Sequence, residues 1–363
     1  MSTTPPAAAS TASTASTALA AAAPGFTLAG HRRRTGRFIA VVAILALVAC
    51  ALWWTTVMIG DTWYSPGEVI AVIRGERVPG ASYAVGRRRL PHALIGLLAG
   101  LAFGMAGTTS QTMLRNQLAS PDIIGITSGA SASAVFAILV LDWSGLRVTV
   151  LAIVCGLATA AVIYLLSGSG RSQGGRLILI GIGISSMFTS VISYLQQRAN
   201  IHDVSDAMRW LSGSLSSTGW DQVPVLAGAV AACSAILLVL GRDLGPLTLG
   251  EEAAAGLGVP VNRTRLLLIL TMVALSSFAT ATTGPIAFVS FLAGPIAARL
   301  VGRTDRTLLV PAALTGAVIV LGGDLVAQHL LPTKLPVGVV TGIVGAPYLI
   351  LQLLRINRQG ASA

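Results

Sequence analysis

Charged side chains are scarce in this chain. Asp, Glu, Lys and Arg together make up 10% of its 363 residues, whereas hydrophobic residues make up 54%. An ordinary soluble domain has about a quarter of its residues charged, so this chain has too few charges to cover a surface in water. At about 20 apolar residues per bilayer crossing, the hydrophobic share suffices for roughly ten spans. The composition excludes a soluble enzyme, a disordered regulator and a coiled coil, and it predicts an all-α polytopic membrane protein.

Lysine is almost absent, which bears on whether the chain can bind a nucleotide. The single lysine, Lys334, lies between Thr333 and Leu335. A phosphate-binding P-loop needs a lysine between its second glycine and a serine or threonine. The chain is therefore predicted not to be a P-loop ATPase. No Gly-x-Ser-x-Gly elbow with a following Asp and His is readable either, which leaves a membrane hydrolase only as a minor alternative.

Acidic residues are nearly absent from the apolar stretches. Of the 13 acids, only Asp324 lies well within a predicted span, near its outer end, and Gln328 follows one turn later. Ion-coupled carriers usually place carboxylates in mid-membrane, where they bind the driving ion. We expect Asp324 and Gln328 to make a structural hydrogen bond between helices rather than an ion relay.

Cysteine and histidine are few and scattered. Cys50, Cys155 and Cys233 all fall in apolar stretches, and the four histidines show no metal-ligand spacing. A lone cysteine in such a stretch usually behaves as a small hydrophobic residue. We expect no disulfide framework, no metal site, no cofactor and no catalytic residue.

The chain divides into tails and one membrane domain. Its first 30 or so residues are mostly Ala, Ser, Thr, Pro and Gly, a composition typical of disorder. We expect a disordered cytoplasmic tail over 1–36, a ten-helix transmembrane domain over 37–355 and a short cytoplasmic tail over 356–363. The predicted spans are 38–59, 90–112, 122–141, 146–166, 176–197, 222–241, 264–283, 285–301, 307–327 and 337–354.

Basic residues predict the orientation of these spans. With both termini in the cytoplasm, 15 of the 24 basic residues fall on the cytoplasmic side. This agrees with the positive-inside rule, so the net charge of +11 indicates topology rather than nucleic-acid binding. Five of the outer basic residues lie in the single loop 61–89. We expect this cluster to bind an acidic partner, with a merely solvated loop as the alternative. The cluster comprises Arg74, Arg77, Arg87, Arg88 and Arg89.

Small residues at regular spacing predict close helix packing in the second span. Gly96, Gly100 and Gly104 repeat every four residues and so lie on one face of a helix. A stripe without side chains lets a neighbouring helix approach closely in lipid.

A short polar-flanked segment over 243–262 separates the sixth and seventh spans. Thr248 and Glu251 have the spacing of a capping box, and Gly258 is placed to end the helix. A helix of about nine residues is roughly 14 Å long and cannot cross the bilayer. We therefore expect it at the cytoplasmic face. Its apolar residues could enter a groove of another protein, whereas an interfacial helix on lipid would favour bulky aromatic and basic residues. These apolar residues are Leu249, Ala253, Ala254 and Leu257.

Several motifs resemble the vitamin B12 and iron–siderophore class of bacterial ABC importer permeases, in the same order along residues 37–355. The run 250–259, Gly-Glu-Glu-Ala-Ala-Ala-Gly-Leu-Gly-Val, is similar to the coupling segment of that class. The other matching runs are Arg89-Leu90-Pro91 with the glycine-rich helix to Gln111, 115–125, 209–215, 284–289 and 335–341. The stretches 120–125 and 291–299 most resemble the ferric-enterobactin branch, which carries a catecholate siderophore.

The resemblance implies the type II ABC importer permease fold and a division of labour among subunits. The chain would be a non-enzymatic, multi-pass permease of a bacterial cytoplasmic membrane. It would work with ABC ATPase subunits, a second permease that is identical or paralogous, an extracytoplasmic siderophore-binding protein, ferric siderophore and membrane lipid, with no nucleic acid. Cobalamin or haem as cargo, an ion-coupled transporter and a receptor-like membrane subunit remain alternatives.

The resemblance also implies roles for individual residues. The residues implied to couple to the ATPase are Gly250, Glu251, Glu252, Ala253, Ala254, Leu257 and Gly258. Small and polar residues should line the translocation path, with helix packing alone as the alternative role. The path candidates on the fifth span are Gly181, Gly183, Ser185 and Ser186.

Overall fold

The computed structural model describes residues 24–122, 125–168, 173–302 and 306–360. These residues form helices joined by turns, and no strand occurs among them. The helices are α1 (Pro24–Met58), α2 (Pro66–Ile73), α3 (Ala81–Tyr83), α4 (Leu90–Met113), α5 (Ile126–Leu139), α6 (Leu146–Ser167), α7 (Gln173–Arg198), α8 (Ile201–Leu211), α9 (Val223–Thr248), α10 (Glu251–Gly256), α11 (Val261–Thr283), α12 (Val289–Val301), α13 (Leu309–Leu325) and α14 (Val337–Gly360). Two π-helical segments, Ala84–Arg89 and Val326–Leu330, precede α4 and follow α13.

The ten predicted spans correspond to ten helices. In the described part of the chain, eight helices are long and apolar enough to cross a bilayer, and the shorter apolar helices α5 and α12 bring the number to ten. The two short helices follow residues with positive φ, Gly125 at 86° and Phe288 at 64°. A left-handed residue cannot continue a helix, so these two spans begin later than their hydropathy predicts.

The first helix begins earlier than the sequence predicts. α1 starts at Pro24, so residues 24–36 are helical where a disordered tail was expected. Its apolar core from Phe38 onward nucleates the helix, and the preceding arginines are good helix formers that extend it. Residues 1–23 of the predicted tail, and the last residues 361–363, lie outside the described residues.

Helix α4 occupies the centre of the bundle. It packs against α1, α9, α11, α12 and α13, and most of its residues are buried. Its residues are largely Gly, Ala, Ser and Thr, which allow five neighbours to approach one helix. α7 and α9, by contrast, expose most of their surface and lie at the periphery.

The glycine stripe of α4 lies against α13. A Cβ atom added to Gly100 would stand 2.5 Å from Ala317 Cα, and one added to Gly104 would stand 2.2 Å from the Ala312 carbonyl oxygen. Gly96 is less confined, because the nearest atom to its added Cβ is a side-chain methyl of Leu215 at 3.0 Å. The two backbones therefore approach most closely at Gly100 and Gly104.

Candidate functional site

The segment between α9 and α11 forms a compact turn of helix outside the bundle. α10 contains six residues, Glu251–Gly256, rather than the nine expected. Gly250 before it has φ of 116°, and Gly258 after it has φ of 86°. Only glycine adopts such angles at low cost, so both ends of α10 depend on a glycine.

The start of α10 differs from the capping box that the sequence predicts. α9 continues through Thr248, whose hydroxyl donates to the Gly245 carbonyl oxygen at 2.6 Å and leaves α10 without a side-chain cap. The carboxylate of Glu251 instead pairs with Arg265 on α11. This ion pair ties the first turn of α10 to the next spanning helix.

The end of α10 satisfies its carbonyl groups with two bonds from beyond the helix. Val259 N–H donates to the Ala254 carbonyl oxygen at 3.0 Å, and Gly258 N–H donates to that of Ala255 at 2.9 Å. These bonds make a Schellman motif, in which the left-handed Gly258 reverses the chain. The predicted helix stop therefore has a defined geometry.

Only part of the predicted apolar face points away from the protein. Leu249 and Leu257 are 69% and 65% exposed, and Ala253 is also exposed. Ala254 is fully buried in the core of its own chain, so it cannot contact a partner. The interpretation of Ala254 as a contact residue is corrected, because α10 packs on α9 and α11 through that position.

The loop 59–89 folds into a small unit on the opposite side of the bundle. Its short helix α2 starts with a capping box between Ser65 and Glu68, and these hydrogen bonds lower the pKa of the Glu68 carboxyl. Val57, Val69 and Val85 form a small core beneath it. The loop is thus a folded platform with its own small core.

The five arginines of this loop have different surroundings. Arg74, Arg77, Arg87 and Arg88 are exposed. Arg89 turns inward: its guanidinium donates to the carbonyl oxygens of Met58 at 2.9 Å and Thr62 at 2.7 Å. It also lies 5.0 Å from the ring centroid of Tyr64. Arg89 caps the end of α1, in contrast to the four exposed arginines.

The path candidates on α7 divide into two groups. Gly181 is buried, and its carbonyl oxygen would stand 2.5 Å from a Cβ at Gly125, so it packs against the turn before α5. Ser185 lies at the same contact, 3.4 Å from the Ser128 hydroxyl. Gly183 and Ser186 face away from the chain.

A histidine–aspartate pair joins α4 to α13: Asp324 is buried, and His92, which was not predicted as its partner, is partly buried. His92 Nε2 lies 2.6 Å from Asp324 Oδ2, and His92 Nδ1 lies 2.9 Å from the Leu215 carbonyl oxygen. That carbonyl can only accept, so Nδ1 carries a hydrogen and one shared proton joins Nε2 to the carboxylate. The hydrogen bond between helices that was expected of Asp324 is therefore present, with His92 on α4 as the partner, while Gln328 donates to the Leu335 carbonyl oxygen at 3.5 Å. The presence of His92 and Asp324 in apolar spans was the available signal.

Among the described residues no cluster of three His, Cys, Asp or Glu side chains could hold a metal ion. The three cysteines are free thiols.

Comparison with known proteins gives one consistent result. Residues 38–355 match the FecCD transport family. The ferric enterobactin transport system permease protein of Escherichia coli (strain K12) is 34% identical over 86% of this chain and 97% of its own length. An Fe(3+)-citrate import system permease protein of Bacillus subtilis (strain 168) is 33% identical over 88% of this chain and 96% of its own.

One further relative is named for a different cargo, and one solved structure has a similar fold. The cobalamin import system permease protein of Halobacterium salinarum is 34% identical over 76% of this chain and 74% of its own. A solved metal-chelate type ABC transporter in an inward-facing conformation superposes with a TM-score of 0.77 at 28% identity. The match covers 99% of the chain in that structure and 87% of this chain.

Proposed function

Because this chain belongs to the FecCD transport family, whose members are membrane permeases of ABC importers without their own ATPase, we propose that it carries a ferric siderophore across the bacterial cytoplasmic membrane. The observation that carries this proposal is the extent of the match. Residues 38–355 include all ten spanning helices, so the similarity concerns the whole permease and not a single motif.

The cargo is inferred from the named relatives. Relatives named for three different iron chelates, ferric enterobactin, Fe(3+)-citrate and iron(3+)-hydroxamate, are similar to this chain, and one relative is named for cobalamin. An iron chelate is therefore the first candidate and cobalamin the second. A siderophore arrives with its iron already coordinated, so the permease needs no metal ligands of its own.

The coupling segment 243–262 is proposed to contact the ATPase. Support comes from its protrusion, its two glycine-dependent ends and the exposed side chains of Leu249, Ala253 and Leu257. A short apolar helix of this kind fits a groove on another protein. Glu251 supports the contact indirectly, because its pairing with Arg265 connects α10 to spanning helix α11.

The outer platform is proposed to dock an extracytoplasmic binding protein through acidic residues of that partner. Arg74, Arg77, Arg87 and Arg88 are exposed on a loop with its own small core. Exposed charges on a rigid support favour rapid, salt-dependent association.

Gly183 and Ser186 on α7 are proposed to face the translocation path beside a second permease subunit. They lie on a spanning helix that is largely uncovered by its own chain. The Ser186 hydroxyl donates to the Ile182 carbonyl oxygen at 2.9 Å, and its oxygen can still accept a hydrogen bond from a polar cargo.

The proposal places the N- and C-terminal ends in the cytoplasm, with residues 37–355 as the permease domain. Fifteen of the 24 basic residues then lie on the cytoplasmic side. This distribution and the position of the coupling segment support that orientation.

Reconstitution tests the function. The chain, its ATPase and its binding protein would be placed in liposomes, and uptake of iron-labelled siderophore would be measured with ATP, without ATP and with an imposed proton gradient. ATP-dependent uptake of the ferric siderophore, absent for the iron-free form, is expected. Uptake of labelled cobalamin instead would show that cobalamin is the cargo. Uptake driven by the gradient without ATP would overturn the proposal.

A further inference from the structure

A large cavity lies at the cytoplasmic end of the bundle, between α1, α4, α9 and the start of α13. Its volume is about 1130 Å³. A second cavity of about 360 Å³ shares Thr108, Thr112, Thr248 and Leu308 with it. The shared lining makes them two parts of one space beside the coupling segment.

The described charged residues that line this space are all arginines. Arg242 and Arg306 line the larger part, and Arg115 lines the smaller one. Arg242 is exposed and makes no hydrogen bond or ion pair with another described residue, while the guanidinium of Arg306 lies 5.4 Å from the ring centroid of Phe38. The space therefore carries a positive charge that favours an anionic ligand.

Two described acids near this space, Asp243 and Glu251, are directed elsewhere. Asp243 accepts a hydrogen bond from Thr264 on α11 at 3.4 Å, and Glu251 pairs with Arg265. Neither of them lines the cavity. The charge of Arg242 is consequently left for a ligand to balance.

A buried hydroxyl inside the space also lacks a partner. Thr108 is 4% exposed, lines both parts of the cavity, and its Oγ1 has no hydrogen-bond partner. A buried polar group without a partner is costly, so a ligand oxygen that accepts from it would be stabilised.

The remaining wall is apolar and extends into the depth of the bilayer. Leu244 and Leu238 lie six residues apart on α9, about 9 Å along its axis. Leu238 and Val310 are both partly exposed on spanning helices, at 47% and 37%. A small inorganic anion would leave this wall without contacts, whereas a hydrocarbon chain would cover it.

We propose that this cavity binds an anionic phospholipid of the cytoplasmic leaflet. The phosphate lies between Arg242 and Arg306, and an acyl chain covers Leu238 and Val310. The site is independent of the cargo that the permease carries. Because it borders Thr248, a bound headgroup would stabilise the end of α9 that leads into the coupling segment.

Thermal unfolding of the full chain in mixed micelles tests the site. Phosphatidylglycerol should raise the Tm of the wild type by about 3 °C or more above phosphatidylcholine, because a ligand that binds the folded state stabilises it. Arg242→Gln should lose most of this gain, and Arg242→Lys should keep part of it. Arg263→Gln is the matched control, since it removes an equal charge from an exposed position outside the cavity.

Three outcomes would overturn the proposal. Equal loss of the gain in Arg263→Gln would indicate a diffuse charge effect. An equal rise in Tm with inorganic phosphate would indicate a site for a free anion. An equal rise in Tm with phosphatidylcholine would show that the headgroup charge plays no part. If Arg242→Gln does not fold, Thr108→Val and Leu238→Gln replace it, and retention of the full gain in both would contradict the site.

Discussion

Two glycines determine how closely the central helices approach. Gly100 and Gly104 of α4 leave no room for a Cβ beside the backbone of α13. Their effect depends on the neighbour and not on glycine content alone, because Gly228 on α9 has no atom within 4 Å of an added Cβ. The two positions therefore make a matched pair for mutation.

Gly100→Leu should strongly reduce the yield of folded protein, whereas Gly228→Leu should leave it near wild type. Overpacking a filled contact costs about 1–3 kcal/mol, and here backbone atoms would have to move. Size-exclusion profiles of detergent-solubilised protein provide the measurement. Equal yields for both variants would show that α4 and α13 separate without penalty.

Neighbouring arginines of the outer platform should differ in function: Arg87 and Arg88 are exposed, whereas Arg89 holds the end of α1. Arg87→Ala with Arg88→Ala should slow association of the binding protein, with a loss that shrinks as salt is added, and should leave Tm unchanged. Arg89→Ala should lower Tm, because three described carbonyl oxygens at 2.7–3.5 Å lose their donor. Stopped-flow association and thermal unfolding separate the two effects. An association rate of the double variant that matches wild type at low salt would contradict docking at this cluster.

The pair of His92 and Asp324 should be structural. Asp324→Leu leaves a buried ring nitrogen unpaired and should cost about 3 kcal/mol, whereas Asp324→Asn can still donate to a neutral His92 and should cost less. Thermal unfolding measures both. Uptake by folded Asp324→Asn should persist with ATP alone, and its complete loss at normal stability would support the ion relay instead.

At the scale of elements, α10 has the properties of a rigid connection between a partner and the bundle. It is held by the Glu251–Arg265 ion pair, by burial of Ala254 and by the Schellman turn at Gly258. These three contacts lie on the inner side of α10. The outer side, with Ala253 and Leu257, remains available.

Gly258→Val should uncouple ATP hydrolysis from uptake, because a β-branched residue at φ of 86° distorts the turn. Ala253→Arg should release the ATPase by blocking close contact. Gly256→Ala is the control, since an added Cβ there meets nothing within 4 Å and φ is not positive. Membrane insertion, ATPase binding and uptake per ATP would be measured together. Wild-type uptake in both test variants would contradict the coupling assignment.

At the scale of the whole molecule, the ten spans place two exposed surfaces on opposite sides of a membrane. The outer platform and the loop after α8 lie on one side, and α10 lies on the other. α7 remains largely uncovered between them. This arrangement fits an assembly in which separate partners bind each end and a second permease lies alongside.

Cysteine labelling tests the orientation in whole cells. A membrane-impermeant maleimide should label a cysteine at exposed Ser217, in the loop between α8 and α9, but not one at exposed Ala255 on α10. Cys50, Cys155 and Cys233 would first be replaced by serine or alanine. Labelling at position 255 and not at position 217 would show that the orientation is the reverse of the one proposed.

The amino-acid sequence determined the features that depend on local chemistry. Runs of apolar residues identified the ten spans, since about 20 such residues suffice to cross hydrocarbon whatever they later contact. Gly258 identified the end of α10, because positive φ is a property of the residue itself. The spacing of Gly96, Gly100 and Gly104 placed them on one helix face, since helix geometry is regular.

Only the tertiary structure decided which side chains meet. Arg89 and Arg88 are neighbours in the chain, yet one caps α1 and the other is exposed. His92 and Asp324 are 232 positions apart and form a hydrogen-bonded pair, and Ala254 is buried while Ala253 is not. Such contacts depend on how distant helices pack, and hydropathy and spacing do not specify the partner of a helix. The cavity lined by Arg242 and Arg306 arises for the same reason, because it exists only between helices that the chain brings together from far apart.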